Sequence, residues 1–164
     1  MKKLLIILIA LNVSIYGLYS QNKTIKGRII DEDFETLPYM SIVINDTVVV
    51  GKTDLNGFFQ IEIPDSVKKI SLSYLGYEPT AIELADTCDE VEVVMILSST
   101  YDFIPLKKVD KLRMKRFKKL PELHKKSFEK GLFKTNKACY TQAFFLYDGR
   151  NVPLRRVKGK RPRL

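Results

Sequence analysis

The sequence predicts an all-β fold, a seven-stranded antiparallel β-sandwich, followed by a basic C-terminal extension with one or two short helices and a possible hairpin. Three observations carry this expectation. Phe59-Gln60-Ile61-Glu62-Ile63 alternates apolar and polar residues with the period of two at which side chains point to opposite faces of a strand. Short apolar runs recur between Thr24 and Leu97, separated by clusters of Asp, Asn, Gly and Pro. Between two such runs stands Asp54-Leu55-Asn56-Gly57, where Asn and Gly tolerate the positive φ that a tight hairpin requires.

Taken in order, Thr24 to Ile30 reads as a half-buried strand with Ile25 and Ile29 on its inner face, and Asp31-Glu32-Asp33 ends it. Leu37-Pro38 sets the chain extended again. Met40, Ile42 and Ile44 open a second strand that Asn45-Asp46 closes. Val48-Val49-Val50 forms a third, ahead of the turn built by Asp54, Asn56 and Gly57. The fourth strand begins after Gly57 and stops at Pro64-Asp65-Ser66. Ile70, Leu72 and Tyr74 mark the fifth, which Gly76 bends, and Thr80 to Leu84 the sixth. Val91, Val93, Met95 and Leu97 are the inward residues of the seventh.

Beyond Ser98 the period changes. Leu106, Val109, Leu112, Phe117 and Leu120 fall on one side of a helical wheel, opposite a lysine face, with Arg113 and Arg116 interrupting the apolar side. Pro121 ends this helix. Glu122 to Lys130 reads as a second short helix closed by Gly131, and Ala138 to Leu154 as a hairpin turning at Asp148-Gly149. Val157 to Leu164, basic with Gly and Pro, has the composition of a disordered end. The expected organisation is a signal peptide at 1–20, the sandwich at 21–99 and the extension at 100–164.

Charge is distributed unevenly. Residues from Ile104 onward carry 20 Lys and Arg against 4 Asp and Glu, a net +16, whereas Gln21 to Phe103 holds 6 against 15, a net −9. An acidic body therefore bears a basic tail, and such a tail seeks anions. Lys107, Lys108, Lys111, Lys115, Lys118 and Lys119 are the candidate contacts to an anionic lipid or lipopolysaccharide surface, with Leu106, Val109, Phe117 and Leu120 entering it; packing of that apolar stripe on the protein's own sandwich is the alternative. An unknown envelope protein with an acidic surface is the other partner class. At the N-terminus, Lys2 and Lys3 precede the apolar run Leu4 to Leu18, and Tyr19-Ser20-Gln21 follows, the tripartite pattern of a secretory signal, with an uncleaved membrane anchor as the alternative. Export, periplasmic or outer-membrane association, or secretion is the expected localisation, and no physiological nucleic-acid partner is expected there. The two cysteines, Cys88 and Cys139, would be in a compartment that permits a disulfide, and the sequence leaves open whether they are bonded.

Candidate chemistry is sparse. His124 is the sole histidine, and a catalytic zinc needs three protein ligands, so it is expected at the surface with no metal and no cofactor. Asp54, Asn56 and Gly57 echo part of a calcium loop, but Lys52 and Ile63 stand where acids are required. Ser71 and Ser73 have no base nearby in sequence, and Cys139 has no histidine downstream, so no enzymatic activity is expected. Tyr39, Tyr74, Tyr77 and Phe58 are candidate platforms for a glycan, the alternative binding function.

Ile25-Lys26-Gly27-Arg28-Ile29-Ile30-Asp31, then Leu37-Pro38, Thr53 to Phe59, Ile63-Pro64 and Ser73-Tyr74-Leu75-Gly76-Tyr77 together resemble the carboxypeptidase regulatory-like domain family. The resemblance covers about Thr24 to Leu97. It implies a transthyretin-like β-sandwich that is itself non-catalytic, of a kind often found in exported and outer-membrane proteins of Bacteroidota-type bacteria. Tyr39-Met40 and Asn45-Asp46-Thr47 depart from the family, which usually has smaller residues after the Pro and a Gly-Thr at the second place.

Overall fold

A computed structural model describes Asn22 to Tyr147 and a two-residue strand at Asn151–Val152. The expected signal segment at 1–20, the expected turn at Asp148-Gly149 and the basic stretch from Val157 lie outside the described residues. The elements are β1 (Asn22–Asp31), β2 (Ser41–Ile44), β3 (Val48–Lys52), β4 (Phe58–Pro64), β5 (Lys69–Ser73), β6 (Thr80–Leu84), β7 (Glu90–Met95), α1 (Leu106–Phe117), α2 (Leu120–Glu129), β8 (Tyr140–Phe145) and β9 (Asn151–Val152). A three-stranded sheet of order β4-β1-β7 faces a six-stranded sheet of order β3-β2-β5-β6-β8-β9. Between them Ile25, Ile29, Ile61 and Val93 of the first sheet meet Ile42, Ile70, Leu72 and Ile82 of the second in one core. Burial of these β-branched and Leu side chains is the main stabilising term, at about 25 cal/mol per Å² of apolar surface.

Four expectations need correction. The sandwich is not wholly antiparallel, because β1 runs parallel to β7 with Gly27 opposite Val91. A Cβ at Gly27 would lie 1.8 Å from the Val91 carbonyl oxygen, so this pairing requires a residue without one. The turn at Asp54 to Gly57 is not a hairpin, since β3 and β4 belong to different sheets and the chain crosses between them there. Gly57 has φ +76° while Asn56 is not among the positive-φ residues. Asp54 shapes the corner by accepting hydrogen bonds at Oδ1 from the amides of Asn56 and Phe58, both at 2.8 Å. Thr53, just before it, donates from Oγ1 to the Leu37 carbonyl at 2.5 Å and accepts the Met40 amide at 2.9 Å, tying the Leu37-Pro38 segment to the corner.

Leu97 is the third correction. It is only half-buried and bridges to Tyr77, while Glu92, Val94 and Ile96, which alternate with the residues expected inward, are buried as well. The reason is the fourth: the extension is integral to the fold. Ile30, Val94 and Ile96 on the outer face of the three-stranded sheet join Phe117, Leu120, Phe133 and Phe144 in a second apolar core. β8 adds to the other sheet, pairing antiparallel with β6 from Ala81–Ala143 to Leu84–Tyr140, and β9 pairs with β8. Cys88 and Cys139 form a disulfide with Cα atoms 5.4 Å apart, which fastens the start of β8 to the loop before β7.

Candidate functional site

The region most distinctive of this chain is the one where the extension lies on the sandwich. α1 begins after Pro105, whose fixed φ suits the approach to a helix, and ends at Phe117; α2 restarts at Leu120 with Pro121 in its first turn. Gly131, at φ +72°, then turns the chain away. Val109, Phe117 and Leu120 are buried, Phe117 and Leu120 against the three-stranded sheet, so of the two readings of this stripe the structure shows packing on the protein's own sandwich and not entry into a lipid interface. Leu106 and Leu112 remain exposed.

Arg113 and Arg116 are not interruptions of the apolar side but its polar anchors. Arg113 is 8% exposed, and its Nε lies 3.0 Å from both carboxylate oxygens of Glu78, in the loop before β6. Nη1 donates to Asp110 at 3.1 Å and to the Phe145 carbonyl at 2.8 Å. Burial works against the guanidinium charge, yet Glu78 and Asp110 raise its pKa above the ordinary arginine value. Arg116 pairs with Glu32 and donates to Ser99 Oγ at 2.7 Å. A third polar tie comes from Glu92, 3% exposed on β7, whose carboxylate accepts the Lys134 amide at 2.6 Å and the Thr135 amide at 3.0 Å. Such groups are costly to bury singly and tolerable only when fully paired.

With the apolar and arginine side turned inward, the predicted lysines are left outward. Lys107, Lys108, Lys111, Lys115, Lys118 and Lys119 are all exposed, and among the described residues none of them forms a salt bridge. At 100° per residue, Lys107, Lys108, Lys111, Lys115 and Lys118 fall within an arc of about 100°. Lys125 and Lys126, by contrast, pair with Glu129 and Glu122 on their own helix.

Where α1 meets α2, a cleft of about 740 Å³ opens between the helices and the β8 strand. Its wall includes Val94, Phe117, Leu120 and Ala138, with Lys118 and Lys137 also lining it. His124 lines it too and corrects a further expectation, being 4% exposed rather than at the surface. Its ring lies 4.9 Å from that of Phe133, Nε2 is 3.5 Å from Thr135 Oγ1, and Nδ1 is buried without a partner. Burial lowers its pKa below the ordinary value, against the opposing pull of Glu92, so the ring is neutral at physiological pH. Beside it Tyr140 donates to the Glu92 carbonyl at 2.8 Å, and burial pushes its phenol far above the usual range. Among the described residues no group of three or more His, Cys, Asp and Glu could hold a metal ion, and no helix is long and apolar enough to cross a membrane.

Of the candidate glycan platforms, Tyr74 and Tyr77 stand together, with ring centroids 5.6 Å apart. Tyr74 and Tyr77 pack on the main core, and the Tyr77 hydroxyl donates to Asp31 at 3.1 Å, which with burial raises its pKa to about 12. Phe58 lies under the Arg28 guanidinium, 4.6 Å from the ring centroid. Of the four, Tyr39 and Phe58 are exposed, Tyr39 the more so.

The strands from β1 to β7, with the close approach at Gly27 and the corner at Gly57, make up the part of the chain that known families describe. That part matches the CarboxypepD_reg-like domain family, over residues 25–103. Domains of this family are non-catalytic β-sandwich modules. No curated protein matches the chain. The CarboxypepD_reg-like segment stops just short of α1, so the lysine face, most of the cleft wall and His124 are additions to it. Sequence reasoning missed Arg113, Glu78 and Glu92 as a buried polar framework. One signal was present: Val109, Arg113 and Phe117 recur every four residues, a spacing that puts the arginine on the buried side.

Proposed function

We propose that the protein is an exported, non-enzymatic attachment module of the bacterial envelope. In this reading a rigid sandwich of transthyretin-like type is held to an anionic surface, lipid or lipopolysaccharide, by the lysine face of α1. The observation that carries it is the segregation of that helix. Val109, Phe117 and both arginines are used internally, while Lys107, Lys108, Lys111, Lys115 and Lys118 form one outward stripe without internal partners among the described residues. Fields of charges so close add within a Debye length of about 8 Å at physiological salt. The disulfide supports an oxidising destination, as does the signal pattern at 1–20. Because Phe117 and Leu120 are committed to the second core and Val109 is buried, attachment is electrostatic and peripheral rather than insertion of the helix.

Vesicle co-sedimentation tests this. The protein without residues 1–20 is expected to pellet with phosphatidylglycerol vesicles and not with phosphatidylcholine vesicles. Binding should be lost in 0.5 M salt, or when Lys111, Lys115 and Lys118 are changed to Glu. Absence of binding to anionic vesicles at low salt overturns the lipid reading and leaves an acidic protein surface as the remaining target.

A further inference from the structure

We infer that the cleft between α1, α2 and β8 binds a single-chain anionic amphiphile, a fatty-acid-like molecule whose hydrocarbon chain lies along the apolar wall and whose carboxylate meets Lys118 and Lys137. The cleft volume of about 740 Å³ is that of a small-ligand site, typically about 300–1,000 Å³. Its wall is not a chance surface hollow, because Val94, Phe117 and Leu120 belong to the second core and the cleft opens directly onto it.

Two further features define the ligand. Lys118 and Lys137 are exposed residues lining the cleft, and neither has a carboxylate partner among the described residues. They select a negative head group. The one buried side-chain polar atom without a hydrogen-bond partner among the described residues, His124 Nδ1, belongs to a cleft-lining residue. Buried polar groups in native folds are met by protein, water or ligand, so this wall offers one unpartnered polar atom beside its apolar residues, and its ring makes His124 a reporter of occupancy.

Other occupants fit less well. The chain beyond Val152 has Arg155, Arg156, Lys158, Lys160, Arg161 and Arg163 and no acid, so it would bring like charge to Lys118 and Lys137. A second copy docking symmetrically would face those lysines with its own. A small anion with an apolar chain has neither conflict.

The single histidine makes the test direct, because its ring proton resonances in an NMR spectrum of the purified chain can come only from His124. Decanoate, titrated below its micelle concentration, is expected to shift those resonances saturably at one molecule per chain. Decyltrimethylammonium should bind at least ten-fold more weakly, and the pair Lys118→Glu and Lys137→Glu should reverse that preference. Ala138→Trp, placed to fill the cleft, should abolish the decanoate shift while circular dichroism and melting temperature show an intact fold; the charge-reversal pair, on exposed positions, carries the test should the Trp variant not fold. The inference is overturned by the absence of a saturable shift, by equal affinity for the cationic and anionic amphiphiles, or by decanoate binding undiminished in the folded variants. Self-association abolished by Ala138→Trp, without decanoate binding, overturns it in favour of a second copy.

Discussion

Arg113 on α1 and Glu78 in the loop before β6 are joined through Nε at 3.0 Å from each carboxylate oxygen, with both side chains largely removed from water. A bidentate pair in such a place fixes the helix on the sandwich in one orientation. Arg113→Leu is expected to destabilise the protein by about 3–5 kcal/mol, because Glu78 and Asp110 are then left buried without their counter-charge. Arg113→Met combined with Glu78→Gln should recover much of that loss. Urea denaturation of the two variants checks it; equal destabilisation by the single and double changes would mean that the pair does not act as a unit.

The glycines at the corner and after α2 separate two costs of substitution. Gly57 and Gly131 share a positive φ, +76° and +72°, that β-branched residues resist. Only at Gly57 is there also a steric conflict, since a Cβ there would lie 2.4 Å from the Ile29 carbonyl oxygen, whereas nothing lies within 4 Å of one at Gly131. Gly57→Val should therefore lower the denaturation midpoint well beyond Gly131→Val. Similar midpoints would show that the backbone conformation alone sets the cost.

The extension is expected to be required for a well-behaved fold. A fragment ending at Ser99 would uncover Ile30, Val94 and Ile96, leave β6 as an unpaired edge and lose the Cys88–Cys139 bond. It should bind a hydrophobic dye and aggregate. Cleavage of the disulfide alone, which closes a loop across a separation of 51 residues, should cost about 4 kcal/mol by loop-closure entropy. A monomeric Ser99 fragment with a sharp thermal transition and no dye binding would return autonomy to the sandwich.

What the sequence made legible was local. The period of two in β4, the breaks at Asp31-Glu32-Asp33 and Pro64, and the helix end at Gly131 rest on residues whose signals act within a few positions, whereas Pro121, expected to end the first helix, stands in the first turn of α2 after α1 has stopped at Phe117. Pairing was less legible, because the parallel register of β1 with β7 brings together Gly27 and Val91 across a distance in sequence that no short pattern spans. The Asn-Gly pair suggested a hairpin because the same residues serve a hairpin turn and a crossing between sheets; which one forms depends on whether β3 and β4 share a sheet. His124 is expected at the surface because it lacks companion metal ligands, an argument that says nothing of packing; it is buried beside Phe133, and Glu92 is buried because the extension covers that side of β7. The cleft depends on two helices and a strand meeting, so no single stretch announces it.

His124 gives the fold a pH dependence whose sign follows from its burial. The folded ring has a pKa below the ordinary 6.5, because desolvation disfavours the charged form more than Glu92 favours it. In the unfolded chain the ring takes up a proton near pH 6.5, and in the folded chain only at lower pH. The unfolded state therefore binds more protons between those two values, so this residue's stabilising contribution is complete above pH 6.5 and is lost as pH falls toward the folded pKa. The slope from one group is at most about 1.4 kcal/mol per pH unit. Denaturant unfolding of the wild-type chain and of His124→Phe, measured from pH 7.5 down to 5, should show the wild type losing stability faster than the variant below pH 6.5. The phenylalanine keeps an apolar ring beside Phe133 while removing the titrating group and the unpartnered Nδ1. Parallel pH profiles for the two proteins would mean that His124 titrates alike in the folded and unfolded chains, and would overturn this account of its burial.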